Sequence, residues 1–140
     1  MVPEIREATP DDMARLLPLV QDFVASFELE PEAYRSTFQR LLQNESALLL
    51  VAESEGRLVA YILGFVHDTF YANGPVGWVE EIMVQSEYRR TGLGGHLMES
   101  FELWCKSKGA VLSALATRRA SNFYEAIGYA ESATYYRRLL

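Results

Sequence analysis

Apolar residues recur along this chain in two rhythms, a period near two that marks strands and a period near 3.6 that marks helices. Residues 2–8 read as a short strand, and Thr9-Pro10-Asp11-Asp12 reads as a helix start. A hydroxyl stands at the N-cap, a proline at the first helical position, and two acids in the turn that meets the positive end of the helix dipole. Met13, Leu16, Leu17, Val20, Val24 and Phe27 keep helical spacing from there, and Pro18 inside the run predicts a kink. A second helix begins near Pro31, with Tyr34, Phe38, Leu41 and Leu42 on one face. The aliphatic segments 47–53 and 57–68, joined by Ser54-Glu55-Gly56, read as an antiparallel hairpin. A loop over 71–77 leads into a strand over 78–84. Leu93, Leu97, Phe101 and Trp104 form the stripe of a third helix, which Gly109 ends. A strand over 110–115, a short helix over 120–127 and a last strand over 129–137 complete the chain. The order β-α-α-β-β-β-α-β-α-β is an α/β arrangement with one principal sheet. No linker, low-complexity tract or repeat interrupts it, so residues 1–140 read as one domain.

Composition adds exclusions. A chain of 140 residues can bury a core without disulfides or metals, and its 49% hydrophobic content is that of an ordinary globular protein. A net charge of −6 argues against an extended nucleic-acid surface, which needs a basic face, and mildly favours a cationic substrate. The single cysteine, Cys105, allows no internal disulfide, which fits a reducing compartment. The first residues carry neither the basic nor the apolar region of a signal peptide, and the longest apolar run, 58–66, is too short to cross a bilayer. A cytoplasmic protein with no membrane partner is expected. One cysteine and two isolated histidines give no metal-ligand spacing, so no metal is expected.

The chemistry concentrates in residues 86–101, SEYRRTGLGGHLMESF. Gly92, Gly94 and Gly95 lack a Cβ, so the backbone there can approach a ligand closely. The helix behind them offers unpaired N–H groups and the positive end of its dipole, and Arg89 and Arg90 add forked cationic donors. A diphosphate fits such a site. A P-loop would need Lys and then Ser or Thr after its last glycine, and His96 and Leu97 stand there instead. The dinucleotide fingerprint would need a glycine at Leu97 and an early strand–turn–helix.

A third pattern, Arg-Arg-x-Gly-x-Gly directly after a strand ending in valine, resembles the acyl-CoA site of the GNAT superfamily of N-acetyltransferases. The stretch EEIMVQSEYRRTGLGGHLMESF is similar to the family's strand–turn–helix, and RRASNFYEAIGYAES to its second signature, a short helix with a tyrosine ahead of xxxGY. The resemblance covers nearly the whole chain. It implies a single-domain GNAT-like fold with a mixed central sheet of about six to seven strands, flanked by about four helices. It also implies acetyl-CoA as cosubstrate, with its pyrophosphate on the turn formed by Arg89, Arg90, Thr91, Gly92, Leu93, Gly94 and Gly95. In the family the strand before the turn splays from its neighbour, and the freed backbone N–H groups belong here to Ile82, Met83 and Val84. Many members place Asn seven residues before the signature tyrosine, near the pantetheine; this chain has Thr117 there. Homodimers are common in the superfamily.

Acetyl transfer from a thioester to an amine needs an uncharged amine, a held carbonyl and a protonated leaving thiolate. The backbone N–H groups of Ile82, Met83 and Val84 would serve as an oxyanion site without any special side chain. Tyr124 matches the family's general acid, and a tyrosine with pKa near 10 is protonated at neutral pH, as an acid must be. Packing in the core with a satisfied hydroxyl is its alternative role. Glu80 and Glu81 are adjacent acids in an apolar strand, and alternation sends them to opposite faces unless a bulge intervenes. One of them faces the substrate, as a base for the incoming ammonium or as its binder, and the resemblance favours Glu80. Glu28 and Glu30 add acidic charge between the first two helices and point with these acids to a cationic amine. His96 and His67 read as solvated, and Cys105 as packed. The aromatic-basic run Tyr135, Tyr136, Arg137 and Arg138 lines the acceptor pocket or an edge strand. Two functions remain open at this point, an acetyl-CoA-dependent N-acetyltransferase acting on a primary amine and a CoA-binding regulatory module without chemistry.

Overall fold

The computed structural model describes residues 2–24 and 27–140. Strand β1 (Glu4–Glu7) and a 3-10 turn (Pro10–Asp12) precede helix α1 (Met13–Phe23), and helix α2 (Pro31–Gln43) follows. Strands β2 (Ala47–Ser54), β3 (Arg57–His67) and β4 (Val76–Val84) lead through a second 3-10 turn (Ser86–Tyr88) to helix α3 (Leu93–Ser107). Strand β5 (Leu112–Leu115) and helix α4 (Ser121–Ala126) close the series.

Thr9 and Pro10, expected at the start of the helix itself, open the 3-10 turn that leads into α1, and Asp12 is the N-cap of α1. The Thr9 N–H donates to Asp12 Oδ2 at 2.8 Å, and the Asp12 N–H to the Thr9 carbonyl at 2.9 Å. Asp12 is fully buried and accepts from both terminal nitrogens of Arg6, at 2.7 and 2.9 Å. Glu53 on β2 binds Arg6 and Arg15 at 2.7 Å each, so two arginines and two acids tie β1, α1 and β2 together. Donation from Arg6 holds the Asp12 carboxyl down at about 2. α1 runs unbroken through the exposed Pro18, and so the expected kink does not interrupt it. The helix does not continue to Phe27, however. Val24 turns extended (φ −72, ψ 120) while its N–H still closes the last turn on Val20, and Phe27 stands 62% exposed beyond. The part of that expected stretch over Ala25 and Ser26 lies outside the described residues.

The sheet has five strands in the order β1-β2-β3-β4-β5. The pairs from β1 to β4 are antiparallel, and β5 runs parallel to β4. This is the mixed α/β sheet that the sequence predicts, with five strands in place of about six to seven. The predicted strand over 129–137 is the missing one. A strand persists only where a neighbour takes its backbone groups, and the edge strand at that end is the four-residue β5. Residues 130–140 are exposed and lie outside the sheet.

Each face of the sheet carries its own core. Leu16 and Leu19 of α1 and Phe38 of α2 pack on Leu49, Val51, Tyr61 and Leu63. On the other face, Leu93, Leu97, Met98 and Phe101 of α3 pack on Leu48, Leu50, Ile62 and Val79, with Tyr124 of α4 at the margin. The approach of α3 depends on Gly64 and Gly77. A Cβ at Gly64 would overlap the Phe101 ring, and one at Gly77 would overlap the Cys105 sulfur.

Candidate active site

β4 decides the geometry of the site. Its pairing with β3 is regular from Val76 to Val79 and from Glu81 to Val84, but Leu63 faces Glu81 while Gly64 faces Val79. Glu80 is left without a partner, which makes it the extra residue of a β-bulge. The extra residue inverts the alternation beyond it. Val79, Ile82 and Val84 all pack on the α3 side, whereas Met83 packs on the α1 side. Glu81 follows Met83. Its Oε1 accepts a hydrogen bond of 2.8 Å from the hydroxyl of Tyr61, a residue of the α1-side core. Glu80 stays exposed.

The two acids therefore sit in different surroundings. Burial pushes the Glu81 carboxyl above the usual carboxylate range, the Tyr61 hydroxyl partly offsets this, and the Glu80 charge adds to it. The edge of the Tyr61 ring meets Phe23 at the end of α1, with ring centres 6.3 Å apart. Phe23 ends α1 on this face, and Glu28 and Glu30 are exposed in the residues just before α2.

β4 also outruns its other neighbour. β5 pairs with it only from Val76 to Val79, so residues 80–84 have no strand on that side. The Gln85 N–H donates to Val59 of β3 at 2.8 Å. Antiparallel alternation then turns the backbone groups of Met83 and Glu81 toward β3 and those of Ile82 and Val84 toward the open side. Of the three residues expected to offer backbone N–H groups, Ile82 and Val84 face the gap, and Met83 belongs to the ladder.

Beyond the strand, the chain enters α3 through Arg90 and Gly92, both left-handed, with φ of 63 and 88. Gly92 is the N-cap of α3, and a side chain there would be strained although space is open around it. Gly94 has a different neighbour. Its Cβ position lies 3.3 Å from the ring of Phe123 on α4, so α4 packs onto the first turn of α3. Gly95 and Thr91 have exposed or half-exposed positions, and Leu93 is buried in the α3-side core. Arg90 extends into solvent, while Arg89 turns back and donates from Nε to the Val84 carbonyl at 2.9 Å. Thr117 accepts from the Ala120 N–H at 3.1 Å and so closes the turn that enters α4.

Three other tyrosines in or beside the two cores have bonded hydroxyls. Tyr34 donates to the Met13 carbonyl at 2.6 Å, Tyr61 to Glu81, and Tyr129 to Glu102 at 2.7 Å, with Ser113 also bound to the Tyr129 hydroxyl. The Tyr124 ring lies edge-on against Phe123 and Tyr129, yet among the described residues its hydroxyl has no protein partner. Burial raises its pKa, which keeps the hydroxyl protonated. Glu81 and Tyr124 thus lie on opposite faces of the sheet.

Other candidates separate from this place. His67 and His96 are exposed, and burial pushes the Cys105 thiol up to about 11, which leaves it an inert packing group. Among the described residues no group of three or more His, Cys, Asp and Glu side chains is arranged to hold a metal, and no helix is long and apolar enough to cross a membrane. Tyr61 and Phe23 escape a reading of the sequence, because both look like core residues in regular elements. The one available signal was an acid on β4 facing a polar-tipped aromatic across the sheet, and it requires the register to be known.

Known proteins resemble this chain in sequence and in fold. The family model described as Acetyltransferase (GNAT) family matches residues 14–129. The chain is 33% identical over 109 residues to an aminoglycoside N(6')-acetyltransferase type 1 of Acinetobacter genomosp. 13, across 72% of this chain and 75% of the relative. Among solved structures, AAC(6')-Iy in complex with the bisubstrate analog CoA-S-monomethyl-acetylneamine superposes with a TM-score of 0.84 at 19% identity, over 100% of both chains. A transcriptional regulator from Bacillus halodurans C-125 superposes with a TM-score of 0.90 at 22% identity, over 99% of both chains. At such identities the superpositions establish the fold alone.

Proposed function

The chain belongs to the GNAT acetyltransferase family and is an N-acetyltransferase, and on that premise we propose that it acetylates a primary amine of an aminoglycoside-like amino sugar by direct attack within a ternary complex. The observation that carries this reading is the bulge at Glu80, which sets the Glu81 carboxylate beside a stretch of β4 with free backbone groups. Acetyl-CoA, the cosubstrate of the family, supplies an activated acyl thioester. The open turn at Gly92, the first N–H groups of α3 and the exposed Arg90 suit its diphosphate. The Ile82 and Val84 N–H groups suit its amides and thioester oxygen.

The proton steps fall to two side chains. We assign the base to Glu81 rather than Glu80, because a half-buried carboxylate with a raised pKa accepts an ammonium proton more readily than an exposed one. Tyr124, with its hydroxyl uncommitted, protonates the departing thiolate. A cationic acceptor enters past Glu28 and Glu30 at the end of α1. The choice of an amino sugar rests on the 33% identity to an aminoglycoside N(6')-acetyltransferase, together with this acidic approach.

The test is thiol release from acetyl-CoA with a panel of aminoglycosides, polyamines and peptides bearing lysine, with the acetylated nitrogen located by mass spectrometry and NMR. Turnover of amino sugars ahead of the other amines is expected. CoA binding without turnover of any amine would make the protein a binding module, and preference for lysine peptides would move the acceptor class.

A further inference from the structure

We propose that Tyr61 is the positioning residue for the base, holding the Glu81 carboxylate on the acceptor face and keeping it ionised. The inference rests on the reading of Glu81 as the base. Three observations carry it. The Tyr61 hydroxyl donates to Glu81 Oε1 at 2.8 Å, and the Tyr61 side chain is only 1% exposed, so this donor cannot be replaced by solvent without moving the core. The contact exists only because of the bulge. With Val79 held opposite Gly64, an unbulged strand would set Glu81 opposite Ile62 and turn it toward α3, away from the hydroxyl. Finally, the Tyr61 ring makes a T-shaped contact with Phe23 of α1, with ring centres 6.3 Å apart, so packing from that helix helps to aim the hydroxyl.

The groups around the carboxylate leave Tyr61 without a substitute. Glu80 on the same strand acts on Glu81 as a like charge and disfavours ionisation. From α1 the neighbour is the uncharged Phe23, and the Arg15 guanidinium of that helix is taken by Asp12 and Glu53. From α2, Tyr34 acts on Tyr61 and is itself bound to the Met13 carbonyl. Arg89 comes from the turn after β4, but its terminal nitrogen lies 4.0 Å from the Met83 sulfur and its Nε on Val84. Tyr61 is thus the one side chain that donates to this carboxylate among the described residues. A base at this position must be ionised when the amine arrives, and the hydroxyl supplies the bond that favours ionisation against burial.

The test uses the full chain with its glutamate carboxyl carbons labelled, and follows the Glu81 signal by NMR as pH changes. Tyr61→Phe keeps the ring and its packing and removes the donor. A charge-assisted bond of ordinary strength corresponds to a rise of about one pH unit in the Glu81 midpoint. The acidic limb of kcat/KM should move by the same amount, with activity recovering on the alkaline side of it. An unmoved Glu81 midpoint, or a loss of activity equal at all pH, would overturn the proposal. Should Tyr61→Phe fail to fold, the Tyr61 hydroxyl proton of the wild type gives the same decision, since its chemical shift must follow the Glu81 titration. Glu81→Gln separates the two readings. If that variant turns over normally at every pH while the Tyr61→Phe midpoint shifts, the base assignment falls and the positioning contact stands.

Discussion

Two acids of this protein leave water on folding, Asp12 under β1 and Glu81 on β4, and their carboxyl groups are displaced in opposite directions. Asp12 is met by both terminal nitrogens of Arg6, by Arg15 and by the Thr9 N–H, so its charged form is favoured and its pKa falls to about 2. Burial raises the pKa of Glu81 and the like charge of Glu80 adds to it, with the single neutral hydroxyl of Tyr61 as a partial offset. The same contrast holds between two tyrosines of the α4 region. Tyr129 has its hydroxyl bound to Glu102 and Ser113, whereas Tyr124 has none of these partners. A fully satisfied polar group stabilises a fold, and an under-satisfied one is available to a substrate.

This contrast breaks most visibly at the open groups. Glu81→Gln should lower kcat roughly 10²- to 10⁴-fold at neutral pH, with the loss shrinking as pH rises because more amine arrives neutral. Its melting temperature should not fall, since an under-partnered buried acid contributes little to stability. A loss of stability equal to that of Asp12 variants would erase the distinction. Tyr124→Phe should cost kcat by a similar factor with little change in the KM for acetyl-CoA, measured under conditions where chemistry limits the rate. Tyr129→Phe, the matched control, should instead lower unfolding stability by about 1–2 kcal/mol and leave kcat in place.

Smaller effects sharpen the structural side. Asp12→Asn should reduce the unfolding free energy by about 2–3 kcal/mol in denaturant titration, with kcat unchanged. The pH dependence has a definite sign. Asp12 has a folded pKa of about 2 against an ordinary 3.8, so its contribution is present above that ordinary value and disappears as pH falls toward 2. Glu81 works oppositely, because the folded protein takes up its proton before the unfolded chain does. The Asp12→Asn variant should therefore show a flatter acid unfolding curve than wild type. Least of all, Glu80→Gln should change kcat by no more than a few-fold, for Glu80 is exposed in the bulge. A loss as large as that of Glu81→Gln would return the base to Glu80.

Much of the fold was legible in the chain because it depends on local periodicity. The stripe of Leu93, Leu97 and Phe101, the alternating β2–β3 hairpin and the capped start of α1 each carry their signal within a few residues. The glycine turn was legible for the same reason, since Gly92 takes a positive φ that other residues resist. The segment 129–137 misled because its β-prone residues need a partner strand, and partnership is not a local property. Glu80 and Glu81 resisted a reading on similar grounds. A bulge is defined by the neighbouring strand, and only the pairing of Leu63 and Gly64 shows which acid is the extra one.

The sequence by itself thus determined most of the elements, their order, and the glycine turn between β4 and α3, all of which follow from spacing, caps and backbone preference. The tertiary structure alone decided which carboxylate enters the low-dielectric face and which hydroxyl reaches it. It also decided that the Tyr124 hydroxyl, unlike those of Tyr61 and Tyr129, has no protein partner among the described residues. These outcomes depend on register and on close approach, such as α3 seating on Gly64 and Gly77. Register joins residues far apart in the chain, and the electrostatics of a carboxylate follow from whatever that joining places beside it.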